Sequence, residues 1–349
     1  MESRPVNESI MNNKNTVSIA VTGSGGSGAV TTGLILLNAM AKAGYYGIMS
    51  RSSGPQIRGG ESAVMMRFAE REVFSQDDTF HVLLSMDWLK IDRFADEIPL
   101  DSKSLLLGDS DAGEIPDILT TSGSQIQLLP LKKSAGEIDG GRANMIGLGV
   151  LAVLLGLSLD MMKKALQEIL GRKKDASIVK SSLACIEQGM QLYQLQHPPL
   201  TDTWETTGSQ RWDISGNEGS GLGALRAGIR FVAAYPITPA SDMLEWLSPS
   251  LEKVGGTLLQ AEDEPASINM IIGASFGGVP ALTATSGPGL SLMMEGLGLA
   301  VASETPVVVV NVMRGGPSTG IPTKSEQADL NLALFGFHGD APHMVLAPT

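Results

Sequence analysis

The most restrictive stretch in this chain is VVVVNVM, Val307 to Met313, directly after Pro306. Serial β-branched residues favour an extended backbone. The lack of apolar/polar alternation predicts a strand covered on both faces, at the centre of a parallel sheet. Parallel neighbours need crossover connections, and the surrounding sequence supplies them. Apolar segments at Phe231–Ala234, Thr257–Leu259, Ala281–Thr285, Pro306–Val312 and Met344–Ala347 alternate with helical patterns, five βα steps in all. That order predicts a doubly wound α/β sheet. Ser215 is placed to cap its first helix, through Ala224 to Ile229.

The first half is α/β as well. Val17–Thr22 reads as a strand, followed by GSGGSG (Gly23–Gly28) and a helix to about Ala43. Further strands are expected at 46–49, 63–68, 81–85, 104–107 and 126–131, a buried helix over 145–159, and amphipathic helices from Leu159 to Ile169 and Val179 to Tyr193. The expected organisation is a polar tail at 1–16, an α/β domain at 17–196, a linker at 197–214 containing HPPLTDTWETTGSQRWD, and a second domain at 215–349.

Strand, glycine-rich turn and helix form the arrangement in which backbone amides hold a phosphate. Gly23, Gly25, Gly26 and Gly28 satisfy that spacing, but a nicotinamide-nucleotide site also wants an acid some 20 residues on. None occurs between Gly28 and Glu61, and the expected second strand is followed by Arg51. Arg51, with Arg58 in the loop SGPQIRGGES, suits a phosphate-rich ligand better than a free ribose.

Composition removes several function classes. A net charge of −12 argues against nucleic acid and against an anionic membrane surface. The longest uncharged apolar run, Met145–Leu159, is shorter than the ~20 residues that span a bilayer, and residues 1–16 lack the apolar core of a signal peptide. One cysteine, Cys185, permits no intrachain disulfide and no cysteine-ligated metal or cluster; the expectation is no metal on this chain and a reducing cytoplasm.

In the second half, four strand ends carry notable residues: YPITP (Tyr235–Pro239), the acidic Glu262-Asp263-Glu264, TSGPG (Thr285–Gly289) and RGGPST (Arg314–Thr319). Ligands bind at the carboxyl ends of the strands in open α/β sheets. One crevice there would offer hydroxyls, glycine-rich backbone, a carboxylate able to exchange protons with a bound ring, and an arginine. Acidic residues also favour helix starts for their dipole alone, and Pro265 marks such a start.

These motifs, with QAEDEPASINM and NVMRGGPSTGIPTKSEQADL, resemble the alpha subunit of 2-oxoacid:ferredoxin oxidoreductases, especially the 2-oxoglutarate type. GSGGSG and GPQIRGGES resemble the gamma domain that many such subunits carry fused in front. The resemblance spans about 17–349 and implies a gamma-type α/β domain followed by a thiamine-pyrimidine-binding domain, C-terminally truncated, since the chain stops before the family's domain is complete. It implies Glu264 as the residue that activates thiamine diphosphate. Tyr235, Pro236, Ile237, Thr238, Ser286 and Gly287 are implied in cofactor binding. For the substrate it implies Thr238 and Arg314, with Thr323 and Lys324 toward a distal carboxylate; Glu262 and Asp263 are left as structural. Mg²⁺ and a [4Fe-4S] cluster are implied in a separate beta subunit, with ferredoxin as electron acceptor, CoA as co-substrate and a hetero-oligomeric assembly. Two rivals remain: a non-oxidative thiamine enzyme, and an inactive nucleotide-binding regulatory chain.

Overall fold

The apolar segment ahead of the glycine-rich turn forms β1 (Thr16–Ser24), whose interior residues are all buried. In the computed structural model, described here over residues 15–54, 60–171, 175–193, 198–206, 208–317, 319–321 and 326–347, two compact units meet in sequence at Asp213/Ile214. In the first unit β1 leads to α1 (Ala29–Lys42), β2 (Tyr46–Ser53), β3 (Glu61–Ala69), β4 (Val82–Ser85) and β5 (Leu105–Asp109). There follow α2 (Asp117–Thr120), β6 (Gln125–Leu129), α3 (Leu131–Gly136), α4 (Ala143–Leu154), α5 (Leu159–Leu170) and α6 (Ala176–Leu192).

The six strands are ordered β2-β3-β1-β4-β5-β6. β1, β4, β5 and β6 are parallel, whereas β3 pairs antiparallel with both β1 and β2. Alternate residues face two cores. Val17, Ile19, Val21, Val64, Met66 and Leu84 pack under α1 and α3–α6, while Ala20, Met65 and Leu83 pack on Phe80, Trp88 and Phe94. This arrangement corrects the position of Arg51. The strand expected to end near Met49 runs on to Ser53, so Arg51 lies within β2, paired with Val64. β2 is not a parallel neighbour of β1, so its end is not where a dinucleotide fold would present its acid.

The span expected as a linker packs instead on the first unit. Thr201 and Trp204 are buried, Trp204 meets Tyr45 edge-on, and Arg211 stacks over the Tyr46 ring. A polar composition concealed this, because one tryptophan and one stacked guanidinium are enough to pin a short segment.

The second unit comprises α7 (Gly216–Arg226), β7 (Phe231–Ala234), α8 (Ser241–Glu252), β8 (Thr257–Gln260), α9 (Glu264–Phe276), β9 (Ala281–Thr285), α10 (Gly287–Ala302), β10 (Val308–Asn311) and α11 (Leu330–Phe335). Ser215 caps α7 in a reciprocal capping box with Glu218. Four parallel strands run in the order β10-β9-β7-β8. Val232, Ala234, Leu282 and Ala284 face α7 and α8; Ala233 and Ala281 face α9 and α10. The sheet is thus covered by helices on both sides.

Two expectations fail here. β10, read as central from its valines, is an edge strand, and Val308 is 48% exposed. The fifth strand, Met344–Ala347, does not form; that segment pairs with no described strand and leaves Met344 and Leu346 exposed. Hydrophobic strings report burial only when a neighbour exists to bury them.

Candidate active site

Because β7–β10 are parallel, their carboxyl ends lie along one edge of the sheet. After β8 the chain turns through exposed Glu262 and Asp263 into α9. Asp263 caps that helix: its Oδ1 accepts from Ala266 N–H at 2.7 Å, its carbonyl accepts from Ser267 Oγ at 2.8 Å, and Pro265 occupies the first turn. With Asp263 spent on capping, Glu264 is swung inward and is 7% exposed. Its carboxylate lies over Gly289 in the first turn of α10, next to Thr285; a methyl group at Gly289 would collide with both. No hydrogen bond or cation meets that carboxylate among the described residues. A carboxylate at a strand-end edge is the type of group that can hydrogen-bond a ring nitrogen.

At the other two strand ends Arg314 is the organising residue. It is 7% exposed. Its Nη1 donates to the Thr238 carbonyl at 2.9 Å and its Nη2 to the Thr319 carbonyl, while Nε has no partner. Arg314 therefore fastens the YPITP turn to its own loop and keeps a free donor. A cavity of about 550 Å³ opens beside it, lined by Gly287, Pro288, Ser291, Leu292, Asp329 and Leu332 among others. Ser286 Oγ, at the N-cap of α10, and Thr283 Oγ1 are buried with no partner.

The structure thus brings Thr238 to Arg314, and Glu264 to Thr285 and Gly289 at the start of α10, the helix that Ser286 precedes and Gly287 opens. Tyr235, Pro236 and Thr238 are exposed, and Ile237 is packed partly on the core. Glu264 does not line the Arg314 cavity. Thr323, Lys324 and Arg58 lie outside the described residues. Sequence reasoning assigned no role to Asn311 and Asp329, which meet at the end of β10; they open and nearly close the motif NVMRGGPSTGIPTKSEQADL, and only the fold joins them.

In the first unit the glycine turn is less open than its spacing predicts. Gly26 and Gly28 adopt left-handed backbone, φ 95° and 92°, as the tight turn requires. Ser24 N–H and Oγ, however, both donate to Asp87 Oδ2 at 2.9 Å, Gly25 N–H to Gly60 O and Ser27 N–H to Ser24 O. Three of the turn's amides are already engaged. Gly23 abuts Ser27, and Gly28 abuts Asn144 at the start of α4. Arg51 is exposed on β2. Nearby, Glu61 is buried and pairs with Lys90 and Arg93, both half-exposed.

Residues 18–192, half of the chain, match the family described as pyruvate ferredoxin/flavodoxin oxidoreductase. The chain belongs to that family. Residues 222–349 match its thiamine diphosphate-binding domain, described as pyruvate flavodoxin/ferredoxin oxidoreductase. Among curated oxidoreductase relatives, the chain is 33% identical to the 2-oxoacid:ferredoxin oxidoreductase subunit alpha of a Sulfolobus species, over 95% of this chain and 59% of that protein. It is 56% identical to the 2-oxoglutarate synthase subunit KorA of Archaeoglobus fulgidus, over 39% of each. A solved structure, the 2-oxoglutarate:ferredoxin oxidoreductase of Magnetococcus marinus with 2-oxoglutarate, coenzyme A and succinyl-CoA bound, matches with a TM-score of 0.78 and 34% identity, over 95% of this chain and 58% of that one. The chain spans about three-fifths of the full-length relatives that it matches from end to end.

Proposed function

We propose that this chain is the alpha subunit of a 2-oxoacid:ferredoxin oxidoreductase acting on 2-oxoglutarate, with CoA as co-substrate and ferredoxin as acceptor. The observation that carries the reading is Glu264: buried, unpartnered and held against Gly289 at the strand-end edge. A carboxylate in that position fits the ring nitrogen of an aminopyrimidine, and the unpartnered Ser286 hydroxyl at the N-cap of α10 offers a further polar group. Thiamine diphosphate, when bound, supplies the carbon nucleophile for the 2-oxo carbon and the sink for the electrons that decarboxylation leaves.

In this reading Glu264 holds the proton at the pyrimidine nitrogen, and the YPITP turn (Tyr235–Thr238) with Gly287 shapes the ring's surroundings. Arg314 presents its guanidinium to the substrate's 1-carboxylate, with Thr238 alongside and Thr323 and Lys324 assigned to the distal carboxylate. CoA is assigned to the first unit, at the glycine turn (Gly23, Gly25, Gly26, Gly28) with Arg51 and Arg58. Because three turn amides are engaged internally, the arginines carry the larger share of that assignment. One cysteine cannot ligate a cluster, so a beta subunit is assigned the [4Fe-4S] centre, Mg²⁺ and ferredoxin reduction. A cytoplasmic setting belongs to the same reading; no helix of the described residues is long and apolar enough to cross a membrane.

The test uses the assembled alpha–beta complex. Glu264→Gln should abolish exchange of the thiamine C2 proton, followed by NMR, and with it CoA-dependent viologen reduction on 2-oxoglutarate, while the melting curve is retained. Normal C2 exchange in that variant rejects the assignment. An aldehyde or ketol product in place of acyl-CoA would favour a non-oxidative thiamine enzyme.

A further inference from the structure

Asp329 stands at the N-cap position of α11, where an aspartate ordinarily accepts from the free amides of its own helix. It makes no such bond. Its carboxylate turns to other elements: Oδ2 accepts from Asn311 Nδ2 at 3.2 Å, at the end of β10, and Oδ1 presses on Gly287, where any β-carbon would collide. The residue is 8% exposed and has no cationic partner among the described residues. Gly287, on which it presses, is the first residue of α10, a helix of 16 residues.

Arg314 anchors the opposite end of the same segment through Thr238 and Thr319. Among the described residues, Gly315 and Gly316 lie beside Glu326 and Ala328, and Arg314 and Asp329 line one cavity. We propose that Asp329 is a positioning residue: seated on α10 and Asn311, it fixes the loop against which Arg314 is braced, and so sets how the guanidinium meets an anionic substrate. The kinetic arm of the test rests on the substrate-clamp reading of Arg314; the structural arm does not.

Hydrogen–deuterium exchange on the full chain reads the structural arm. In Asp329→Ala, peptides spanning 315–321 should exchange about tenfold faster, the scale of one lost charge-assisted hydrogen bond. Asp329→Asn keeps an oxygen for Asn311 and should show about threefold or less. Peptides over β7, β8 and β9 should not change. In the assembled enzyme the KM for 2-oxoglutarate should rise in the same order, with kcat held within about twofold. Unchanged exchange at 315–321, or faster exchange throughout the second unit, overturns the proposal. If Asp329→Ala does not fold, Asn311→Ala, which removes the donor instead, decides by the same peptides. Loosening at 315–321 in an enzyme that turns over no 2-oxoacid would sink the substrate reading and leave the positioning role standing.

Discussion

Two carboxylates press on α10 at alternate glycines, Asp329 at Gly287 and Glu264 at Gly289. The glycines there make room for the carboxylates. Gly289→Ala should cost about 1–3 kcal/mol through forced displacement and slow C2-proton exchange by moving Glu264. Gly298→Ala is the matched control on the same helix: nothing lies within 4 Å of its added methyl, and it should stabilise by about 0.5–1 kcal/mol. Thermal melts of both variants check the pair; equal shifts would show that crowding at Gly289 is relieved cheaply. The choice of Glu264 among the three acids came from the family resemblance; the start of α9 was legible in the sequence because a strand, an acidic turn and a first-turn proline mark where a helix begins. Asn311 and Asp329 were not. Their meeting depends on an 18-residue excursion, and an aspartate ahead of a helix reads as a cap, the role this one forgoes.

At the scale of elements, His81 joins strands rather than a site. Its Nδ1 accepts from Ser18 N–H on β1 at 3.0 Å, its N–H donates to Ser18 O, and its carbonyl accepts from Leu105 N–H at the start of β5. Burial holds its imidazole below the ordinary 6.5, against the pull of Asp77 and Asp101. As pH falls below 6.5 the unfolded chain protonates first. Stability of the first unit therefore drops from there down to the folded imidazole's own pKa. Glu61 acts in a more acid window: burial opposes its ionisation, but its own backbone amide, Arg93 and Lys90 outweigh that, so its carboxyl sits below 4.5. Denaturant unfolding between pH 7 and 5 should show the histidine loss, and His81→Gln should flatten it; an unchanged slope in that variant would reassign the effect. Most strands and helices were legible within a few residues, since their apolar periods are local. Strand order was not: the antiparallel insertion of β3 beside β1 leaves no local mark, and it is why Arg51 sits inside a strand.

Across the whole molecule, fold class could be read from alternation of apolar segments, whereas the place of each strand in its sheet could not. The valines of β10 illustrate both halves of that lesson, and their edge position carries a further consequence for solution behaviour. Among the described residues nothing pairs with the outer side of Val308–Asn311, so its unpaired amides and carbonyls form a template that any extended chain can join. Two copies of the chain can pair with each other along that edge. Light scattering of the purified chain should rise with concentration, and Val308→Lys should suppress the rise. A monodisperse wild-type chain at high concentration would mean that the edge is already guarded. A rise with concentration would instead make supply of this polypeptide a matter of stoichiometry: the safest cell is one that never lets it accumulate alone.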